Sequence, residues 1–217
     1  MNQPRIFPLG DAALVCEAPA PATLECQRRV WAAAAAASGW PQVLEVVPGM
    51  NNLTIMFDPL EADRAALAQQ LQAAWDAAGE APAAGREVHI PVQYGGAFGP
   101  DLAAVADHAG LSAEEVVQRH AAGEYVVFFL GFQPGFAYLG GLEAALHTPR
   151  RPSPRLEVAA GSVGIGGAQT GIYPAASPGG WQLIGRTDVV LFDPAQNPPT
   201  LLQPGDRVRF TVAGIHA

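Results

Sequence analysis

The chain has 217 residues, enough for one large domain or two small ones, and 49% of them are hydrophobic against 15% charged, so it can bury a core and is not intrinsically disordered. A net charge of −8 and a pI near 5.0 argue against a nucleic-acid partner, which would demand clustered cations. All 12 basic residues are arginine, which removes a P-loop lysine, Schiff-base chemistry and biotinyl attachment together.

Cys16 and Cys26 read as reduced, structural thiols. Met1 to Leu14 lacks a basic patch followed by an apolar segment, and the Ala32–Ala37 run is too short and too weakly apolar to span a bilayer. The expectation is a soluble, cytoplasmic protein with no membrane or nucleic-acid partner.

In chain order, the apolar run Ala12 to Cys16 predicts a first strand. Thr23 stands where a helix N-cap belongs, with Glu25 in the first turn, and that helix stops at Ser38-Gly39. Val43 to Val47 and Leu53 to Phe57 predict two strands joined by Pro48-Gly49-Met50-Asn51-Asn52. A second helix follows Asp58-Pro59, with Leu67, Leu71, Trp75 and Ala78 on one face at the 3.6-residue period. This order predicts an antiparallel sheet covered by two helices. Gly79 to Arg86 reads as a linker, dividing a small α+β domain, 1–84, from a second domain, 85–217.

The second domain opens with a strand over Val88 to Val92 and a glycine-rich loop at 94–100. Leu102, Val105, Ala106 and Ala109 form the stripe of one short helix; Ser112 and Glu115 make a capping box for another, ending near Gly123. His120, close to that end, reads as a surface or capping residue. Tyr125 to Phe132 predicts a continuous apolar strand, and Val158 to Phe210 alternates β-prone runs with Gly and Pro turns, as a β-barrel or sandwich would.

Chemistry concentrates between Tyr125 and Arg186. Glycines here serve equally as barrel corners or as close approaches to a ligand. They are interleaved with Gln169, Thr170, Tyr173, Trp181 and Gln182, groups able to orient a small amide. Arg150, Arg151 and Arg155 sit in one proline-stiffened segment, suited to a carboxylate or phosphate, or to a partner interface. Gly164-Ile165-Gly166 begins like a dinucleotide fingerprint, but Gln169 stands in place of its third glycine. No Gly-x-Ser-x-Gly elbow occurs and the five histidines lack metal-type spacing, so no metal site is expected. His147, adjoining the arginines, is the one acid–base candidate.

Six blocks in order carry a resemblance: Gly131-Phe132-Gln133-Pro134-Gly135-Phe136, Thr148 to Arg155, Ala160-Gly161-Ser162-Val163-Gly164-Ile165, Gln169-Thr170-Gly171-Ile172-Tyr173-Pro174, Ser177-Pro178-Gly179-Gly180-Trp181 and Ile184-Gly185-Arg186-Thr187. With these blocks the chain resembles, over essentially its whole length, the family of 5-oxoprolinase B subunits, which also carries the names allophanate hydrolase subunit 1 and Kip-type kinase inhibitor. One departure is Gly166-Gly167, where that pattern has Ala-Gly.

The resemblance implies a small α+β domain followed by a mainly-β, cyclophilin-like barrel. It implies ATP-dependent opening of the 5-oxoproline lactam to L-glutamate, with ATP and Mg bound by an assembly of this polypeptide with A and C subunits, the chain being inactive alone. Its other implied readings are inhibition of a sensor histidine kinase and an allophanate or urea amidolyase-type role. For 5-oxoproline, residue chemistry assigns Gln169 and His147 to catalysis. Arg150, Arg151, Arg155, Gly166, Gly167, Thr170, Tyr173 and Trp181 are assigned to substrate binding.

Overall fold

A computed structural model describes residues 3–78 and 85–216. The chain divides into two compact units, Met1–Ala83 and Ala84–Ala217. Most of the expected Gly79–Arg86 linker, residues 79–84, lies outside the described residues.

The first unit runs β1 (Arg5–Pro8), β2 (Ala13–Glu17), α1 (Leu24–Ala37), β3 (Val43–Gly49), β4 (Asn52–Phe57) and α2 (Arg64–Ala77). Its four strands make an antiparallel sheet in the order β1-β2-β4-β3, with Leu14 opposite Ile55 and Cys16 opposite Leu53. Leu14, Cys16, Leu53, Ile55 and Phe57 bury one face of the sheet against Val30, Ala33 and Ala37 of α1 and Leu67, Leu71 and Trp75 of α2. Burial pushes the Cys16 thiol up to about 12, so it is an inert core residue. β1 is a strand that the periodicity does not reveal, being four residues long and ending in proline, which an edge strand tolerates.

Helix boundaries follow side-chain caps. The Thr23 hydroxyl accepts from the Cys26 amide at 3.2 Å, as expected. The second helix starts later than Asp58-Pro59 suggests. Asp58 instead closes a turn by accepting from the Leu60 amide, and Asp63 is the true N-cap, accepting from Ala65 and Ala66 at 2.8 and 3.3 Å.

The second unit runs β5 (Glu87–Gly95), α3 (Leu102–Ala109), α4 (Ala113–Ala122), β6 (Tyr125–Leu130), β7 (Ala137–Gly140), β8 (Arg155–Val158), β9 (Ser162–Gly166), β10 (Gln169–Ile172), β11 (Ser177–Gly179), β12 (Gln182–Arg186) and β13 (Arg207–His216). Seven strands close into a barrel in the order β10-β7-β6-β13-β5-β12-β9, while β8 and β11 pair separately. Only β13 and β5 run parallel among the barrel pairs described. Closure leaves no edge strands and turns alternate side chains inward. Val92, Val127, Leu139, Val163, Ile165, Ile184 and Phe210 fill the interior, joined by Val105 of α3 and Val116 and Val117 of α4.

α4 begins with the expected capping box, and the amide and hydroxyl donors of Ser112 hold the Glu115 carboxyl below its usual range. β6 ends at Leu130, two residues before the expected Phe132. Phe132 has a left-handed φ of 66°, which a strand cannot accommodate, and it opens the turn into β7.

Candidate functional site

On β10 the strand alternation turns Thr170 into the barrel and Gln169 and Gly171 onto its outer face. Thr170 pairs with Leu139 of β7 on one side and Ile165 of β9 on the other. The outer row therefore runs from Phe129 and Tyr138, whose rings stack at 4.3 Å, across Gly171 to Gly164. The missing side chains make a trough that the Trp181 indole fills. A Cβ on Gly166 would lie 2.6 Å from Trp181 Nε1, and one on Gly171 would lie 3.2 Å from Cζ3. These glycines seat an aromatic ring.

Around that ring gathers a second apolar cluster outside the barrel, of Phe136, Val158, Tyr173, Trp181 and Leu183, with Tyr138 against it. Phe136 meets Tyr138, Tyr173 and Trp181 at centroid distances of 4.9, 5.3 and 5.5 Å, edge-on or tilted as ring quadrupoles prefer. Tyr173 and Trp181 are buried, so they form the floor of this face and not an open wall. Burial raises the Tyr173 phenol, opposed by the hydrogen bond from the Trp181 amide and the charges of Arg150 and Arg155. Phe132, 61% exposed, stands at the rim, edge-on to Phe136 and Tyr173.

The arginine segment is pinned along this face. Thr148 and Gly167 exchange backbone hydrogen bonds of 3.2 and 2.8 Å at the tip of the β9–β10 hairpin, where Gly167 takes a φ of +66°. The Arg151 amide donates to Gly180 O, and Gln182 Nε2 donates to Pro149 O. His147 arrives beside the hairpin tip; its Nε2 lies 3.2 Å from the Leu142 carbonyl, which leaves Nδ1 as the acceptor when that contact is a donor bond.

The three arginines have separate fates. Arg151 and Arg155 both reach the buried carboxylate of Asp101, at 3.2 and 2.7 Å on Oδ1, while Oδ2 accepts from the Leu183 amide at 2.7 Å. Asp101 precedes α3 yet gives it no side-chain cap, because its oxygens are occupied here. The pair therefore fastens the arginine segment to α3 and β12, while Arg151 Nε and Arg155 Nη1 keep no hydrogen-bond partner among the described residues. Arg150 is exposed, with its guanidinium 5.7 Å from the Trp181 ring centre and no carboxylate partner among the described residues. Gln169 brings a further uncommitted group, since its amide nitrogen is buried without a hydrogen-bond partner among the described residues.

Thr170 lies on the opposite side of the strand, inside the barrel. Its hydroxyl donates to Gly164 O at 3.0 Å, so it accepts from His120 Nε2–H at 2.9 Å, and His120 Nδ1 then accepts from the Tyr94 phenol at 2.8 Å. This chain of hydrogen bonds lies inside the barrel, with His120 stacked on Phe210 at 4.5 Å. His120 is fully buried and not a surface or capping residue: the α4 end on which it sits packs inward. Burial drives its pKa down to about 3, so the ring is neutral.

Gln169, Gly166, Gly167, Trp181, Tyr173, Arg150 and His147 are thus assembled around one outer face and hairpin tip, with Arg151 and Arg155 held beside them by Asp101 and Thr170 turned into the barrel. Sequence reasoning does not assign Asp101, Tyr138 or Phe129 to the site. Asp101 reads locally as a helix cap, and nothing in the sequence signals its partners 50 and 54 residues away. Phe132 and Phe136 fall within one of the six ordered blocks but carry no role there.

The chain belongs to the family of carboxyltransferase domain, subdomain C and D, proteins, whose sequence model matches residues 4–202. Within it, the chain is 53% identical over 210 residues to the Escherichia coli O157:H7 protein named as the B subunit of 5-oxoprolinase, covering 97% of this chain and 96% of that one. Its counterpart of the same name in Bacillus subtilis (strain 168) is 42% identical over 222 residues, covering 95% and 91%. The crystal structure of TTHA0988 matches 93% of this chain with a TM-score of 0.80 and 40% identity; this chain spans 39% of that longer chain.

Proposed function

We propose that this chain is the B subunit of a 5-oxoprolinase, opening the lactam of 5-oxoproline to L-glutamate in an ATP-dependent complex with A and C subunits. The observation that carries the reading is 53% identity, end to end, with a protein of that name. The outer face suits the substrate's chemistry. 5-Oxoproline presents one carboxylate and one ring amide. Arg150 is a cation free to take the carboxylate, and the Gln169 amide is a donor for the ring carbonyl as negative charge gathers on its oxygen.

His147 Nδ1, beside the hairpin tip, is the acceptor for a proton from attacking water. Trp181 and the aromatic cluster keep the floor apolar, which strengthens both polar contacts. In this reading residues 1–84 form the α+β domain and 85–217 the cyclophilin-like domain. The four-stranded sheet with two helices and the seven-stranded closed barrel support that assignment.

The chain has no lysine and no P-loop, and among the described residues no group of three His, Cys, Asp or Glu side chains could hold a metal. ATP and Mg are assigned to the assembled complex. The chain acts in the cytoplasm and is inactive alone.

The test is reconstitution with A and C subunits and measurement of 5-oxoproline-dependent ATP hydrolysis. The isolated chain should turn over neither compound. Arg150→Ala and Gln169→Ala should abolish turnover by the complex while each variant still assembles and melts like the wild type. Wild-type rates in both variants, or turnover by the isolated chain, would overturn the assignment.

A further inference from the structure

A cleft of about 390 Å3 opens on the barrel wall between β5, β12 and β13, lined by Gln93, Phe98, Arg186, Thr187, Asp188 and Val189 among others. It belongs to none of the elements that build the outer aromatic face except β12. It also accounts for the one ordered block, Ile184 to Thr187, that the proposed oxoprolinase site leaves unused.

Register builds this cleft. Arg186 lies directly opposite Gln93 across β12 and β5, and Gln93 lies opposite Gly214 across β5 and β13, so the three share one row on one face. Gly214 leaves room there for the end of the Gln93 side chain, whose Oε1 lies where a Cβ would be. Gln93 Oε1 is also taken by His216 Nε2 at 2.8 Å, which leaves the two N–H donors of the Gln93 amide uncommitted. The Phe98 ring, 4.9 Å from that of His216, supplies an apolar wall.

Two opposite charges enter the same cleft. Thr187 is buried, with its amide donating to Gly161 O at 2.9 Å and its hydroxyl accepting from the Val189 amide at 3.3 Å. That anchor leaves its neighbours Arg186 and Asp188 exposed on the cleft side. Neither has an ion-pair or hydrogen-bond partner among the described residues, and they are not paired with each other. A guanidinium fork, an amide donor, a carboxylate and a ring edge in one pocket match a molecule carrying both carboxylate and ammonium.

The geometry points to a binding site for a small zwitterionic α-amino acid in this cleft, its carboxylate on Arg186 and the Gln93 amide, its ammonium on Asp188. The site stands independently of the oxoprolinase reading.

The experiment is calorimetric or ligand-observed NMR titration of the full chain with L-glutamine, and with L-glutamate and glutarate. Saturable binding of both amino acids is expected. Glutarate, which lacks the ammonium, should bind at least about tenfold more weakly than L-glutamate, the loss of one charge-assisted contact. Arg186→Gln and Asp188→Asn should each weaken L-glutamine by a similar factor, whereas Arg150→Ala, which alters the other face, should leave it unchanged. Absence of amino-acid binding, glutarate binding as tightly as L-glutamate, or affinity lost in Arg150→Ala but kept in both cleft variants would overturn the proposal.

Discussion

Inside the barrel, His120 takes one hydrogen bond from Tyr94 and gives one to Thr170, so its neutral form is the one that satisfies both partners while Thr170 donates to Gly164 O. Its pKa falls from 6.5 to about 3 because burial removes the water that would solvate a charged ring. The sign follows from linkage. Between these values the unfolded chain binds a proton that the folded chain refuses, so stability is full above pH 6.5 and declines as pH drops toward 3. At pH 5 the unfolded ring is 1.5 units below its own pKa of 6.5, and at about 1.4 kcal/mol per unit the loss is about 2 kcal/mol.

The perturbation is His120→Gln, which keeps a donor and an acceptor but cannot titrate. It should be less stable than the wild type at pH 7.5, through lost packing on Phe210 and imperfect hydrogen bonds. That deficit should shrink by about 2 kcal/mol at pH 5, since only the wild type carries the histidine penalty. Urea unfolding at both values measures it, and nitrogen-detected NMR of the wild type should show the Nε2–H tautomer unchanged over the same range. A deficit that does not vary with pH, or a ring that titrates near its ordinary value, would refute the buried, neutral assignment.

Two further perturbations probe how the outer face is built. Gly166→Val places carbon against the Trp181 indole where a Cβ already approaches to 2.6 Å; destabilisation of about 1–3 kcal/mol is expected, with a shift in tryptophan emission, and unchanged stability would show that the ring does not occupy the trough. Asp101→Ala removes the acceptor of Arg151, Arg155 and the Leu183 amide. Since the two arginine side chains are 35% and 23% exposed, water offsets part of the loss; about 2–4 kcal/mol should be seen by thermal unfolding, against less than half that for Arg151→Ala, and equal effects would deny Asp101 its central role.

Local rules carry far along this chain. Thr23, Ser112 and Glu115 are legible as caps because capping chemistry spans three residues, and Leu67, Leu71 and Trp75 as a helix face because the period is intrinsic. β1 is not legible because four residues bounded by prolines hold too little pattern. Gly166 and Trp181 both stand out in the sequence, yet their relation does not, since it depends on β9 and the chain before β12 lying face to face. His120 misleads for the same reason: proximity to a helix end says nothing about which way that end faces.

From sequence alone came the residue inventory, the run of strands and helices, the ordered blocks that carry the family resemblance, and the absence of lysine chemistry. Tertiary structure alone decided which arginine stays free, which glycines seat a ring, and that Thr170 faces inward while Gln169 faces out. The physical reason is that caps and periodicity act over a few bonds. A buried carboxylate meeting guanidinium groups 50 and 54 residues away, or a closed barrel dividing neighbours between two faces, exists only once distant strands have found their register.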